Sequence, residues 1–152
     1  MEYREGQSAS ITRQVTAEDV EAFAEVSGDT NPVHLDPDYA ATTRFGSRIA
    51  HGTLAVSYIS AVLGTRFPGP GTIYLSQNVS FLKPVFIGDT ITATVSVSKY
   101  RAEKGVLTLV TECFNQAGDK VVDGQAVCLV TDVVEPLSSL DEAAETADTQ
   151  RR

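Results

Sequence analysis

A chain of 152 residues, 42% hydrophobic and 21% charged, is long enough for one domain that buries about 68–70% of its unfolded surface, and too short for two. Its formal net charge of −8, with no cluster of Lys or Arg, argues against a nucleic-acid partner, because a phosphate backbone demands a basic stripe. There is no apolar run of about 18 residues, and Met1-Glu2-Tyr3-Arg4-Glu5 lacks the basic-then-apolar order of a secretory signal. The expectation is a cytoplasmic protein with no membrane contact.

Ser8 to Val15 reads as a short strand, after which Thr16 serves as a helix N-cap with Asp19 in the capping-box position. Val20, Phe23, Ala24 and Val26 form the apolar stripe of that helix, and Gly28 ends it. Gly28 tolerates positive φ, while Pro32 fixes its own φ and pushes Asn31 out of the α region, so residues 28–34 are expected as a rigid loop rather than a regular helix. Asp36-Pro37 starts a short helix through Ala40 and Ala41 that closes at Phe45-Gly46.

From His51 to Thr65, Leu54, Ala55, Tyr58, Ile59, Val62 and Leu63 recur at helical spacing, and small residues fill most of the rest. So few charges predict a helix that is apolar nearly all round and buried against a sheet. Arg66-Phe67-Pro68-Gly69-Pro70-Gly71 breaks the chain, and the period then changes to two. Strands are expected over 72–82, 90–100, 106–114 and 121–130, separated by Gly-containing turns around Gly88, Gly105 and Gly118. One early strand, one buried helix and four long antiparallel strands make an α+β domain over residues 1–133, with the sheet wrapped around the helix. Residues 134–152 include an acidic stretch, Glu135 to Asp148, rich in Ser, Thr and Ala, and are expected to be a disordered tail. Cys113 and Cys128 lie within apolar runs without metal-ligand spacing and read as free buried thiols, with a cross-strand bridge as the alternative.

Gly28-Asp29-Thr30-Asn31-Pro32-Val33-His34 sets a carboxylate and an imidazole five residues apart on a constrained segment. An arbitrary Asp and His at that spacing would be a turn residue and a packed histidine. The flanking helices and the doubly restricted backbone favour instead a pair presented together, as proton transfer on one water requires. The second of only two histidines, His51, opens the segment His51-Gly52-Thr53 at the start of the long helix. A backbone N–H near Gly52, at a helix N-terminus, could face a developing negative charge; close packing at the helix entrance is the plainer alternative.

Residues 26–41, from Val26-Ser27-Gly28 to Tyr39-Ala40-Ala41, closely resemble the signature of the MaoC-like (R)-specific enoyl-CoA hydratases. The likeness continues through Arg48-Ile49-Ala50-His51-Gly52-Thr53, then Ile73 to Phe81 and Lys83-Pro84-Val85-Phe86-Ile87-Gly88-Asp89, covering roughly residues 8–131. It looks like the short, single-domain type that feeds polyhydroxyalkanoate synthesis. The resemblance implies a hot-dog fold, a homodimer and an acyl-CoA thioester substrate entering at the subunit interface. It further implies that Asp29 and His34 act together on one water, adding it syn to a trans-2-enoyl-CoA to give (3R)-3-hydroxyacyl-CoA. The N–H of Gly52 would then polarise the thioester carbonyl. No metal or other cofactor is called for beyond the coenzyme A of the substrate.

Asn31 is expected either to hold the loop or to touch the water or substrate. Ser60, about two helical turns beyond Gly52 on the same face, and Leu63 are candidates for the acyl pocket, with helix packing the competing role for both. Arg44, Arg48, Arg66 and Lys83 are candidates for the coenzyme A phosphates, with a solvated surface charge as the plainer reading of each. The rival functions are a hot-dog thioesterase and a non-catalytic acyl-CoA-binding module.

Overall fold

A computed structural model describes residues 2–130. Nine elements follow one another: β1 (Ser8–Gln14), α1 (Ala17–Ser27), α2 (Pro32–Leu35), α3 (Pro37–Ala41), α4 (Gly52–Thr65), β2 (Ile73–Phe81), β3 (Thr90–Arg101), β4 (Val106–Phe114) and β5 (Lys120–Leu129). The strands form one antiparallel sheet in the order β1-β3-β4-β5-β2. The last three strands are sequential hairpins, whereas β1 and β2 occupy the two edges. The expected domain end at 133 and the tail over 134–152 lie outside the described residues.

The core follows from two periods meeting. On β3, Ile91, Ala93, Val95 and Val97 are buried at alternate positions, and Leu107, Leu109, Thr111 and Cys113 repeat the pattern on β4. Onto this face α4 lays Leu54, Ala55, Tyr58, Ile59, Val62 and Leu63, touching β1, β2, β3 and β4. An aliphatic side chain buried there, such as Ile59, is worth about 2–5 kcal/mol against truncation to alanine. The sheet wrapped around one long helix is the hot-dog arrangement.

The structure differs from expectation in four places. The segment after Gly28 is not wholly a loop: Pro32–Leu35 closes a single helical turn, because the missing N–H and fixed φ of Pro32 suit the first helical position. Asn31, before the proline, is extended as its position demands (ψ 125°). Val26 is 83% exposed and stands outside the apolar stripe of α1. Helix α4 is not buried all round: Thr53, Ser57, Ser60 and Gly64 form a face open to solvent. Finally, β2 is an edge strand with a register shift between Tyr74 and Ser76, and it leaves Ile73 and Phe81 exposed.

Thr16 caps α1 reciprocally with Asp19, and Gly28 ends it in the left-handed region at φ 78°. Those two ends fix where Asp29 leaves the helix. On the other side, the chain before α4 is tied to the sheet by Ala50 N–H to the Val85 carbonyl, 2.7 Å. The ends of α1 and α4 therefore meet over α2.

Candidate active site

Three short segments converge there: Gly28 to Asn31, α2, and Arg48 to Gly52. Asp29 starts an Asx turn, its Oδ1 accepting from the Asn31 N–H at 3.2 Å. Asn31 Oδ1 in turn accepts from the Val33 N–H at 3.2 Å and caps α2. Segment 48–50 then locks α2 from behind through three bonds. The Ile49 N–H donates to the Val33 carbonyl at 3.3 Å, Arg48 Nε donates to the His34 carbonyl at 2.6 Å, and His34 Nδ1 donates to the Ile49 carbonyl at 2.8 Å.

That last bond fixes chemistry as well as position. A carbonyl only accepts, so the Nδ1 of His34 carries the hydrogen and the Nε2 of the neutral ring presents its lone pair. Nε2 lies 4.0 Å from Oδ2 of Asp29. This is too long for a hydrogen bond between them. Burial pushes the His34 imidazole below its ordinary value of 6.5; the Ile49 carbonyl pulls the other way, His51 pushes it down further and Asp29 pulls it up. The His34 side chain is 11% exposed, whereas half of the Asp29 side chain meets solvent.

His51, 2% exposed, lies beneath both. Its ring stacks on that of His34 with centroids 3.8 Å apart and planes 29° from parallel. Phe23 of α1 packs on the same ring at 4.9 Å. The Nε2 of His51 donates to the backbone carbonyl of Asp29 at 2.9 Å. The sequence singles out His51 only as the residue before Gly52; the ring's role depends on a tertiary direction that spacing does not carry. The one available signal is that both histidines of the chain fall in the two unusual segments.

The groups open into a cavity of about 430 Å³. Asp29, His34, His51 and Gly52 sit at one end, Val85, Val121 and Val122 form an apolar wall, and Arg44 and Lys83 also line it. Gly52 is the first residue of α4, and His51 gives no side-chain cap, so the helix begins with N–H groups that have no intrahelical partner. The ring of Phe81 covers Gly52 so closely that a Cβ built there would lie 2.7 Å from Cδ1 and Cε1.

The structure therefore brings Asp29, His34 and Gly52 together and leaves the other expected site residues elsewhere. Asn31 spends its side chain capping α2 and does not line the cavity. Ser60 faces solvent on α4, and Leu63 is packed in the core, so neither lines this cavity. Of the four cations, Arg44 and Lys83 line it, Arg66 does not, and Arg48 is committed to the His34 carbonyl and stands 3.9 Å from Glu21. Asp29, His34 and His51 offer ligand-type atoms within 4.8 Å of one another. Yet Nε2 of His51 is spent on a carbonyl, and two stacked rings do not aim their lone pairs at one ion, so the cluster suits a small polar molecule better than a metal.

The chain belongs to the MaoC-like domain family, whose pattern matches residues 2–113. It is 51% identical over 127 residues to an (R)-specific enoyl-CoA hydratase of Rhodospirillum rubrum, covering 84% of this chain and 88% of that one. The structure of the (R)-hydratase from Aeromonas caviae involved in PHA biosynthesis superposes with a TM-score of 0.83 at 46% identity, covering 85% of this chain and 98% of the other. An (R)-hydratase of Pseudomonas aeruginosa in its unliganded form gives 0.81 at 44% identity, with 88% and 90% covered.

Proposed function

We propose that this chain is an (R)-specific enoyl-CoA hydratase that adds water reversibly to a trans-2-enoyl-CoA, giving (3R)-3-hydroxyacyl-CoA. The observation that carries the chemistry is the 4.0 Å gap between His34 Nε2 and Asp29 Oδ2 in a cavity that also holds the start of α4. A water making two hydrogen bonds of about 2.8 Å, with its protons near a right angle, spans such a gap. The relatives at about half identity that carry this activity support the reading.

Neutral His34 takes one proton from that water as its oxygen attacks the β-carbon, while the Asp29 carboxylate accepts the other O–H and aims the oxygen. The imidazolium so formed returns its proton to the α-carbon on the same face. H and OH are thereby added syn, and both residues end as they began. The Gly52 N–H, at the positive end of α4, takes the thioester oxygen as enolate charge develops, a contribution of about 2.7–4 kcal/mol for one such donor. No cofactor enters beyond the coenzyme A of the substrate.

We assign a homodimer, because the uncharged small-residue face of α4 lets a second copy approach closely, and Ile73 and Phe81 of edge strand β2 are exposed apolar side chains that such a copy would cover. Ser60 lies on that α4 face, and its contact with substrate, with Leu63 behind it in the core, rests on a second copy completing the acyl pocket. The free, buried thiols of Cys113 and Cys128 fit a reducing compartment, and the cytoplasm is the assigned location.

Crotonyl-CoA tests the activity. Loss of the enoyl absorbance without release of free thiol, and a product of R configuration, are the expected results. Thiol release would mean a thioesterase, and an unchanged spectrum a binding module.

A further inference from the structure

We infer that His51 is a positioning residue that joins the proton-transfer pair to the oxyanion donor. The inference rests on the roles proposed for Asp29, His34 and Gly52. Three observations meet in this one residue. Its Nε2–H holds the Asp29 carbonyl at 2.9 Å, so it sets where the Asp29 backbone sits. Its ring supports His34 face to face at 3.8 Å. Its own peptide bond supplies the N–H of Gly52, and its carbonyl accepts from Leu54 N–H at 3.0 Å, anchoring that peptide to α4.

The carboxylate, the imidazole and the backbone donor come from three different segments; Arg48 and Ile49 already tie His34 of α2 to the chain ahead of α4, and His51 adds the tie to the Asp29 backbone. The ring is fully buried, is wedged between Phe23 and His34, and leaves its Nδ1 without a hydrogen-bond partner among the described residues. Among the described residues the Nε2 bond to the Asp29 carbonyl is therefore its single hydrogen bond, and the same Nε2 lies 4.0 Å from Asp29 Oδ2.

That tie matters to geometry more than to folding. Asp29 is exposed, so its carbonyl can turn to solvent when the donor is removed, at little cost to the folded state. What is lost is the placement of Oδ2 relative to His34 Nε2. A displacement near 1 Å at such a centre is worth about 100-fold in rate.

The experiment compares His51→Phe, which keeps a ring between Phe23 and His34 but has no donor, with His51→Gln, whose amide N–H reaches the place of Nε2. Asp29→Asn and His34→Gln are measured alongside with crotonyl-CoA. The expected result is a kcat about 100-fold lower for His51→Phe at nearly unchanged KM and Tm, and recovery of most of it in His51→Gln. Wild-type kcat in folded His51→Phe overturns the inference, as does an equal loss in both His51 variants. Histidine-labelled nitrogen NMR on the wild-type protein decides the matter should the variants not fold: the ring proton of His51 is expected on Nε2, and finding it on Nδ1 overturns the inference. If Asp29→Asn and His34→Gln still hydrate at the wild-type rate, it is the dyad reading that fails. If they lose activity while His51→Phe keeps it, the dyad stands and only the role of His51 falls.

Discussion

His34 Nε2 and Asp29 Oδ2 face each other at 4.0 Å, and neither atom is held by the other. An ion pair that served only to pin the loop would close that gap and would show its worth in stability. A pair that shares a water shows it in rate. Asp29→Asn and His34→Gln are each expected to lower kcat by roughly 10²–10⁴-fold. Asp29→Asn should leave Tm within a few degrees of wild type, since the side chain is half exposed and Asn can still start the Asx turn. Steady-state hydration of crotonyl-CoA and a thermal melt on the same samples make the check.

The buried imidazole sets the pH dependence. His34 must be neutral to accept a proton, and burial places its pKa below 6.5. Hydration is therefore expected to be level from pH 7 upward through the range where the fold holds, and to fall only on the acid side, at a pH below 6.5. The stability follows the same sign. Between the folded pKa and 6.5 the unfolded chain binds more protons at this residue than the folded one, so stability rises with pH there and its full share is present above 6.5. A kcat/KM profile whose acid limb lies above 6.5 would show that His34 is not the base.

Much of this was legible in the residues themselves. The Thr16–Asp19 capping box, Gly28 and the alternation on β3 and β4 are local signals, and they placed the elements close to where they stand. Asp29 and His34 stood out because glycine and proline restrict the backbone around them. What could not be read depends on direction or neighbours. A single turn such as α2 is too short to show a period, and alternation on β2 reveals a pleat but not that the strand lies at an edge. Helical spacing puts Ser60 on the face of Gly52, yet α4 lines the cavity only through Gly52, Thr53 and Ala55 in its first turn. Arg48 read as a free cation, whereas its guanidinium turns inward to the His34 carbonyl.

The cations at the cavity separate into two kinds of role. Arg44 and Lys83 line it, and Lys83 is half exposed and 3.3 Å from Asp119. Replacing both by Gln is expected to raise KM for crotonyl-CoA several-fold, leave kcat nearly unchanged and flatten the salt dependence of KM, because exposed charges act through screened attraction. Arg48→Ala should do the opposite: KM holds and kcat falls, because the His34 carbonyl loses its 2.6 Å donor. Equal effects on both parameters from either set would remove the distinction. A salt series from low to physiological ionic strength makes the comparison.

Gly52 and Phe81 constrain each other. A methyl group at 52 would meet the Phe81 ring at 2.7 Å, closer than atoms can stand, while the backbone of Gly52 is ordinary helix that alanine adopts without strain. Because Phe81 is half exposed, it can swing aside, and the cavity that both residues line is one place open to it. Gly52→Ala is therefore expected to cost little in Tm and at least 10-fold in kcat/KM, through a ring pushed across the start of α4. Phe81→Ala removes the obstacle. If the clash is the cause, the double variant should hydrate faster than Gly52→Ala alone, a coupling that a double-mutant cycle measures directly. Additive losses would mean instead that the methyl group itself blocks the N–H of residue 52, with Phe81 playing no part.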